Sequence, residues 1–166
     1  MASALICAGC VSTGDRQIEA AAAKLSLCEK VEALVQGHAN GFEQLRGSYR
    51  STPYTDIWNS RYDVIGKGCE IWRTGTGSTH YVCTLTAPDR ATADNYYRES
   101  REQLRNCLGP DWTERETPRK LGVGVKTVFA KPGEKATLAV HEIQTGGVVK
   151  DQWTLYYFVG EPNDQL

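Results

Sequence analysis

The first places to look for chemistry in this 166-residue chain are three histidines, six cysteines and one group of acidic residues. The cysteines stand at positions 7, 10, 28, 69, 83 and 107. Their spacing excludes the paired CxxC sets of a structural zinc site, because Cys7-Ala-Gly-Cys10 is a lone CxxC near the start. Cys28, Cys69, Cys83 and Cys107 are an even number spread over separate predicted elements, as a disulfide framework requires. The competing reading is four buried free thiols, since free cysteine packs as a small hydrophobe.

The histidines do not gather in sequence. His38 falls near the end of a helical stripe, where packing or capping is its ordinary role. His80 and His141 fall on outward positions of two predicted strands, and they meet only if those two outer faces adjoin. There is no HExxH, no histidine cluster and no carboxylate-rich loop, so neither a metal nor a cofactor is expected. No Gly-x-Ser-x-Gly elbow is present. Gly122-Val-Gly124-Val-Lys126-Thr127 lacks the glycine directly before lysine that a phosphate loop needs, and it continues into an alternating strand. Asp111, Glu114 and Glu116 surround Trp112 and read as a solvated loop, because glycoside chemistry needs two carboxylates placed across a sugar. No catalytic residue is expected.

Charge narrows the classes further. Lys+Arg 19 against Asp+Glu 20 gives a net charge of −1 with no dense basic run. That argues against electrostatic binding of nucleic acid or of anionic lipid. An apolar stretch long enough for a membrane span is also missing from the sequence.

The elements that must position these residues are organised around Cys69–Cys83. Two alternating runs flank the turn Gly75-Thr-Gly77-Ser78, which reads as a β-hairpin. Setting Cys69 opposite Cys83 places Ile71 against Tyr81 and Trp72 against His80. Cys69, Ile71, Tyr81, Cys83 and Leu85 then form the core face, with Glu70, Trp72, His80, Val82 and Thr84 outward. Directly opposed cysteines have the Cβ closeness a disulfide needs. Cys28 and Cys107, each on the inner stripe of a helix, form the favoured second bridge.

The N-terminal Ala8-Gly9-Cys10-Val11-Ser12-Thr13-Gly14 resembles the end of a bacterial lipoprotein signal, with an atypically short and uncharged leader. The resemblance implies lipidation of Cys10 and a location in the periplasm, on the outer membrane, with the lipid as sole membrane attachment. Residues 1–16 then form the truncated signal and tether, 17–160 a single domain and 161–166 a frayed tail.

Within the domain, an apolar stripe from about Gln17 to Gln36 predicts one amphipathic helix. Residues 46–59 read as a loop with aromatic anchors, and Tyr62, Val64 and Ile65 as the start of a strand. A second helix runs from a cap at Asp89 or Thr92 to about Cys107, stopped by Leu108-Gly109-Pro110. Residues 109–121 read as a charged loop, followed by three strands ending near Val159. The expected fold is α+β: helix, β-hairpin, helix, three-stranded meander, with two helices on one face of a disulfide-braced antiparallel sheet. The order hints at a duplicated helix-plus-hairpin unit.

What remains for function is aromatic exposure. Trp72, His80, Glu70, Tyr54 and Trp112 are the candidate interface, since tyrosine and tryptophan bury large area with few rotors. The expected function is an exported, non-catalytic binding domain of the cell envelope. Its partner would be another protein, as for an envelope factor or an immunity-type inhibitor. The rival readings are an envelope hydrolase with a histidine–carboxylate site assembled only in three dimensions, and a carrier of a small apolar ligand.

Overall fold

A computed structural model describes residue 18, residues 20–146 and residues 151–161. Cys10, the tether and the tail beyond Glu161 lie outside the described residues. The first helical stripe is not continuous. Residues 20–22 are helical, the chain turns at 23–26, and α1 begins afresh as Leu27–His38. Ser26 supplies the reason: its hydroxyl accepts from the Glu29 N–H while the Glu29 carboxylate accepts from the Ser26 N–H. This reciprocal capping box satisfies two of the orphan donors at the helix start. A 3-10 turn, Glu43–Leu45, then leads into the sheet.

Among the described residues the sheet has eight strands. Arg46–Ser51 (β1), Thr55–Ser60 (β2), Glu70–Thr74 (β3) and Thr79–Ala87 (β4) form one antiparallel meander. The helix α2, Arg90–Leu108, capped by Asp89 through the Thr92 N–H, crosses to the far edge. There Thr113–Pro118 (β5), Gly124–Ala130 (β6), Thr137–Gly146 (β7) and Asp151–Gly160 (β8) form a second meander that returns to pair β8 with β4. The spatial order is β1-β2-β3-β4-β8-β7-β6-β5. Each half is thus one helix followed by four strands, and the halves join through their last strands.

This overturns the expected order of helix, β-hairpin, helix and three-stranded meander: the described strands form one eight-stranded antiparallel sheet in which each helix is followed by four strands. The predicted loops at 46–59 and 109–121 contain β1, β2 and β5, whereas 61–69 is irregular. These three strands alternate in charge and hydrogen-bonding capacity more than in hydropathy. In β5, Glu114 and Glu116 face α2: Arg101 bonds both carboxylates, and Arg105 reaches Glu114 at 2.8 Å. Burial raises the Glu114 pKa, but the hydrogen bonds and charges of Arg101 and Arg105 outweigh it and hold the carboxyl below its ordinary range. In β2, Trp58 lies beneath the Arg46 guanidinium, 4.1 Å from the ring centroid, with Arg73 at 5.2 Å.

The hairpin register is the expected one, Ile71 against Tyr81 and Trp72 against His80. One row of opposed residues, from Tyr49 through Trp58, Ile71, Tyr81, Val159, Leu138 and Phe129 to Glu114, crosses all eight strands. Val31 and Leu34 of α1 and Ala93, Tyr97 and Leu104 of α2 share one core with the central residues of that row. Glu142 is buried on the same face. Burial and the neighbouring Asp94 carboxyl push its pKa up to about 7, with the Arg90 guanidinium opposing them.

Both expected disulfides form, Cys28–Cys107 and Cys69–Cys83. Cys28 is exposed rather than on the buried stripe, so this bridge links the helices at their solvent edge. No helix among the described residues is long and apolar enough to cross a membrane. The two disulfides point to an oxidising, extracytoplasmic environment.

The bridges close spans of 79 and 14 residues. Paired serine substitutions are therefore expected to cost about 4–5 kcal/mol for Cys28 with Cys107 and about 3 kcal/mol for Cys69 with Cys83, read by denaturant unfolding. Recovery of these cysteines as free thiols in non-reduced peptide maps would refute the pairing. A second expectation concerns Glu142. Its folded pKa lies above its unfolded one, so its contribution is full below about pH 4.5 and is lost as pH rises through about 7. Between pH 5 and pH 8 the wild type should lose roughly 1–2 kcal/mol more stability than Glu142→Gln. Parallel unfolding curves for the two proteins would show that the carboxyl is not held protonated.

Candidate functional site

The face of the sheet opposite the core carries a hollow of about 570 Å³, lined by strands and loops and by no described helix. Register explains its shape. One row of opposed residues on this face reads Thr84, Tyr156, His141, Lys126 and Thr117, from β4 to β5. The next reads Val82, Phe158, Ala139, Val128 and Arg115. The third holds His80 on β4, the pair Gly160 and Thr137, and the pair Ala130 and Thr113. Small residues on β6, β7 and β8, namely Ala130, Ala139, Thr137 and Gly160, form the floor. Longer side chains, Lys126, His141, Phe158, Arg115 and His80, rise around them. A dent results wherever neighbouring strands all lack bulk at positions that face the same way.

Gly160 is small for a second reason. A Cβ there would overlap the ring of His80, which packs directly over this backbone. His80 is 6% exposed, so its outward alternation leads into the wall of the hollow and not to open solvent. Burial first, and the charge of His38 second, lower its pKa, while the Glu161 carboxylate acts against both.

His141 is the most enclosed polar group on this face, 2% exposed and set edge-on to Phe158 with centroids 5.0 Å apart. The Arg119 guanidinium donates from Nη1 to His141 Nδ1 at 2.6 Å and from Nε to the Leu121 carbonyl at 3.1 Å. An arginine nitrogen can only donate, so Nδ1 is the acceptor and the ring proton resides on Nε2. Burial, with the positive charges of Arg119 and Lys126 added, pushes the His141 pKa down to about 3. The imidazole is therefore neutral at physiological pH, a fixed N–H donor and a weak base. Lys126, directly opposite in the register, is 9% exposed. Arg115 and Lys120 add positive charge towards the rim, and Glu161 is the acidic residue among the described lining residues.

Two of the lining hydroxyls already have acceptors: Thr113 donates to the Ala130 carbonyl at 2.9 Å and Thr137 to the Gly160 carbonyl at 3.0 Å. Among the described residues no group of three or more His, Cys, Asp or Glu gathers to hold a metal.

The structure brings together three of the five expected interface residues. Trp72, Glu70 and His80 share the open face, where Trp72 Nε1 donates to Glu70 at 2.7 Å and Arg50 pairs with the same carboxylate at 2.6 Å. Tyr54 stands apart, 83% exposed at the β1–β2 turn. Trp112 is further off, half-buried in a separate crevice beside Arg105, Glu114 and Phe129. The chain matches no protein-family model, no curated protein and no solved structure.

His80 and His141 do line one cavity, which their sequence positions left open. Lys126, Arg115, Arg119 and the small floor residues were missed. The available signal was Ala130, Ala139 and Gly160 at outward positions of successive strands, with His141 two residues from Ala139 and Lys126 four from Ala130.

Because the folded pKa of His141 lies below its unfolded value, the unfolded chain takes up the extra proton as pH falls below about 6.5. Stability is therefore present above that pH and declines towards pH 3, by about 2 kcal/mol at pH 5 from this residue alone. His141→Gln keeps an acceptor for Arg119 without a titrating ring. Unfolding at pH 7 and pH 5 should show the variant losing about 2 kcal/mol less than wild type. Equal losses would mean that the ring is not held neutral.

Proposed function

We propose that this chain is an exported, non-catalytic binding domain of the cell envelope whose working surface is the open face of the sheet. The observation that carries the reading is the hollow: a cavity of about 570 Å³, apolar at its floor, with a few polar groups at fixed positions around it. Size and lining are those of a ligand site in general.

Several features support binding over hydrolysis. The neutral His141 ring offers a proton at Nε2 and has its other nitrogen occupied by Arg119. Hydroxyls of Thr113 and Thr137 are engaged with backbone carbonyls. No activated nucleophile with a base at hydrogen-bonding distance faces the hollow among the described residues. The two disulfides support export, and a lipid on Cys10 would tether the domain to the membrane.

A protein partner is the second reading, favoured by the ordered Arg50–Glu70–Trp72 group on the same face beside His80. Indole, guanidinium and carboxylate held in one geometry lose little rotamer entropy on docking.

Ala139→Trp should fill the floor, and Trp72→Ala should remove the neighbouring aromatic surface. Recovery of bound small molecules and proteins from envelope extracts is then compared by native mass spectrometry for both variants and wild type. Loss of a bound species in Ala139→Trp, with an unchanged melting temperature, supports the hollow; loss only in Trp72→Ala moves the site to the protein-docking surface. Identical recovery by all three proteins would sink the open face as the working surface. For the tether, Cys10→Ser should release the protein from membranes, and unchanged fractionation would count against lipidation.

A further inference from the structure

The hollow sorts its hydrogen-bonding groups by kind. At one end His141, with Nδ1 occupied by the Arg119 guanidinium, offers the proton on Nε2 and no free acceptor. At the other end Thr113 and Thr137 turn their hydroxyl protons into the Ala130 and Gly160 carbonyls. Their oxygens keep lone pairs, so towards a ligand these two side chains accept and do not donate. The exposed Glu161 carboxylate is a further acceptor in the lining. Between the two ends the lining is apolar, with Ala139 opposite Phe158 on one side and Val128 on the other. Tyr156 stacks on the Phe158 ring, 4° from parallel with centroids 5.9 Å apart. On the side of Phe158 away from Tyr156 the strand carries Gly160, which has no side chain.

Resting on the reading of the hollow as a binding site, we propose that its ligand is an uncharged compound built on one aromatic ring. A carbonyl-type acceptor at one end takes the His141 proton, and a hydroxyl or N–H donor at the other bonds the Thr137 oxygen. Reversed, the carbonyl would meet that oxygen, acceptor against acceptor. His141 and Thr137 are four residues apart on β7, a span of about 14 Å in an extended strand. Two hydrogen bonds of about 2.8–3.0 Å take up part of it and leave about 8 Å between the polar atoms of the ligand, one benzene ring with a short arm. The ring lies over Ala139 between Phe158 and Val128, where it displaces water from apolar surface. A charge on the ligand has no role there. Arg119 is engaged with His141 and the Leu121 carbonyl, and neither Lys120 nor Lys126 is without a partner. Arg115 and Glu161 are exposed to water. An ionised ligand would surrender hydration without gaining a buried unpaired counter-ion among the described residues.

The test uses para-hydroxybenzylacetone, which carries both polar ends. Benzylacetone lacks the hydroxyl, para-butylphenol lacks the carbonyl, and para-hydroxyphenylpropionate has a carboxylate in place of the ketone. Binding is followed by amide chemical shifts in the disulfide-bonded protein. The complete ketone should shift residues lining the hollow and bind about fivefold more tightly than either truncated probe, the worth of one hydrogen bond. The carboxylate should bind more weakly than the ketone. Thr137→Val should erase the advantage of the ketone over benzylacetone, and Thr137→Ser, which keeps the hydroxyl, should retain it. An advantage that survives Thr137→Val would overturn the placement of the donor. Equal affinity for the ketone and a truncated probe would overturn the ligand assignment and leave the hollow standing as a site. Carboxylate binding as tight as that of the ketone would overturn the neutrality of the ligand. Absence of any shift at the hollow with all four probes would overturn both the ligand assignment and the site.

Discussion

The pairing of β4 with β8 is the constraint on which the rest of this structure depends. Seven successive residue pairs, from Tyr81 with Val159 to Ala87 with Trp153, join strands far apart in sequence. Without that seam the chain is two helix-plus-four-strand halves, each with an unpaired inner strand edge. A bare central edge invites pairing with another chain, so closure here protects the protein as well as completing its core. The seam also fixes faces. Setting Tyr81 against Val159 commits Cys83, Leu85, Leu155 and Tyr157 to the core, and by alternation commits His80, Val82 and Phe158 to the opposite side. A slip of one residue would exchange the two sets and open both the core and the hollow. The bridges reinforce this arrangement from either side: Cys69–Cys83 binds β4 to its neighbour, and Cys28–Cys107 ties the two halves through their helices.

The outer edges are held by a different kind of force. β5 contributes almost no apolar surface and is kept against the domain by Arg101 and Arg105 reaching down from α2 to Glu114 and Glu116. β1 and β2 are held by the Arg46 and Arg73 guanidinium groups close to the Trp58 ring and by the Asp56–Arg73 pair. Ion pairs at the surface contribute little singly, but several sharing carboxylates resist displacement together. Holding β5 by its core-side carboxylates has a consequence on the other face. Thr113, Arg115 and Thr117 are thereby turned towards the hollow and supply its outer wall. The same alternation that neutralises two arginines of the helix delivers a third to the candidate site.

How much of this was legible in the sequence follows from which forces leave a hydropathy pattern. The hairpin around Cys69 and Cys83 was readable because turn chemistry, alternation and cysteine placement coincide there. Its register and both bridges came out as expected. β1, β2 and β5 were not readable as strands by hydropathy, since Arg46–Ser51 and Thr113–Pro118 alternate between salt-bridging and solvent-facing polar residues. The Ser26-x-x-Glu29 capping box was in plain view and separates the first helical turn from α1, but the alanine-rich stripe across it masked the break. His80 and His141 were correctly assigned to the outer alternation. That they are buried there depends on the order of strands that are distant in sequence, and no local pattern encodes that order.

A sheet face covered by no described helix would ordinarily be dressed in exposed polar side chains, and here it is not. Phe158, Val82, His80, His141 and Lys126 are all buried or nearly so, although the helices pack into the core on the other side. Burying a lysine and two imidazoles in a wall whose floor is alanine and glycine has a desolvation cost that a purely structural surface would avoid. Arg119 adds to that cost, since its guanidinium is spent on fixing one tautomer of His141. Polar groups held at unfavourable positions by their neighbours mark function more often than they mark stability. The groups held this way donate protons or carry positive charge, and they lie at one end of the hollow. Such an arrangement is poorly suited to activating a nucleophile, which calls for a base. A neutral imidazole held in one tautomer suits the binding role proposed for this face, since it presents a donor at a fixed position without reorganisation.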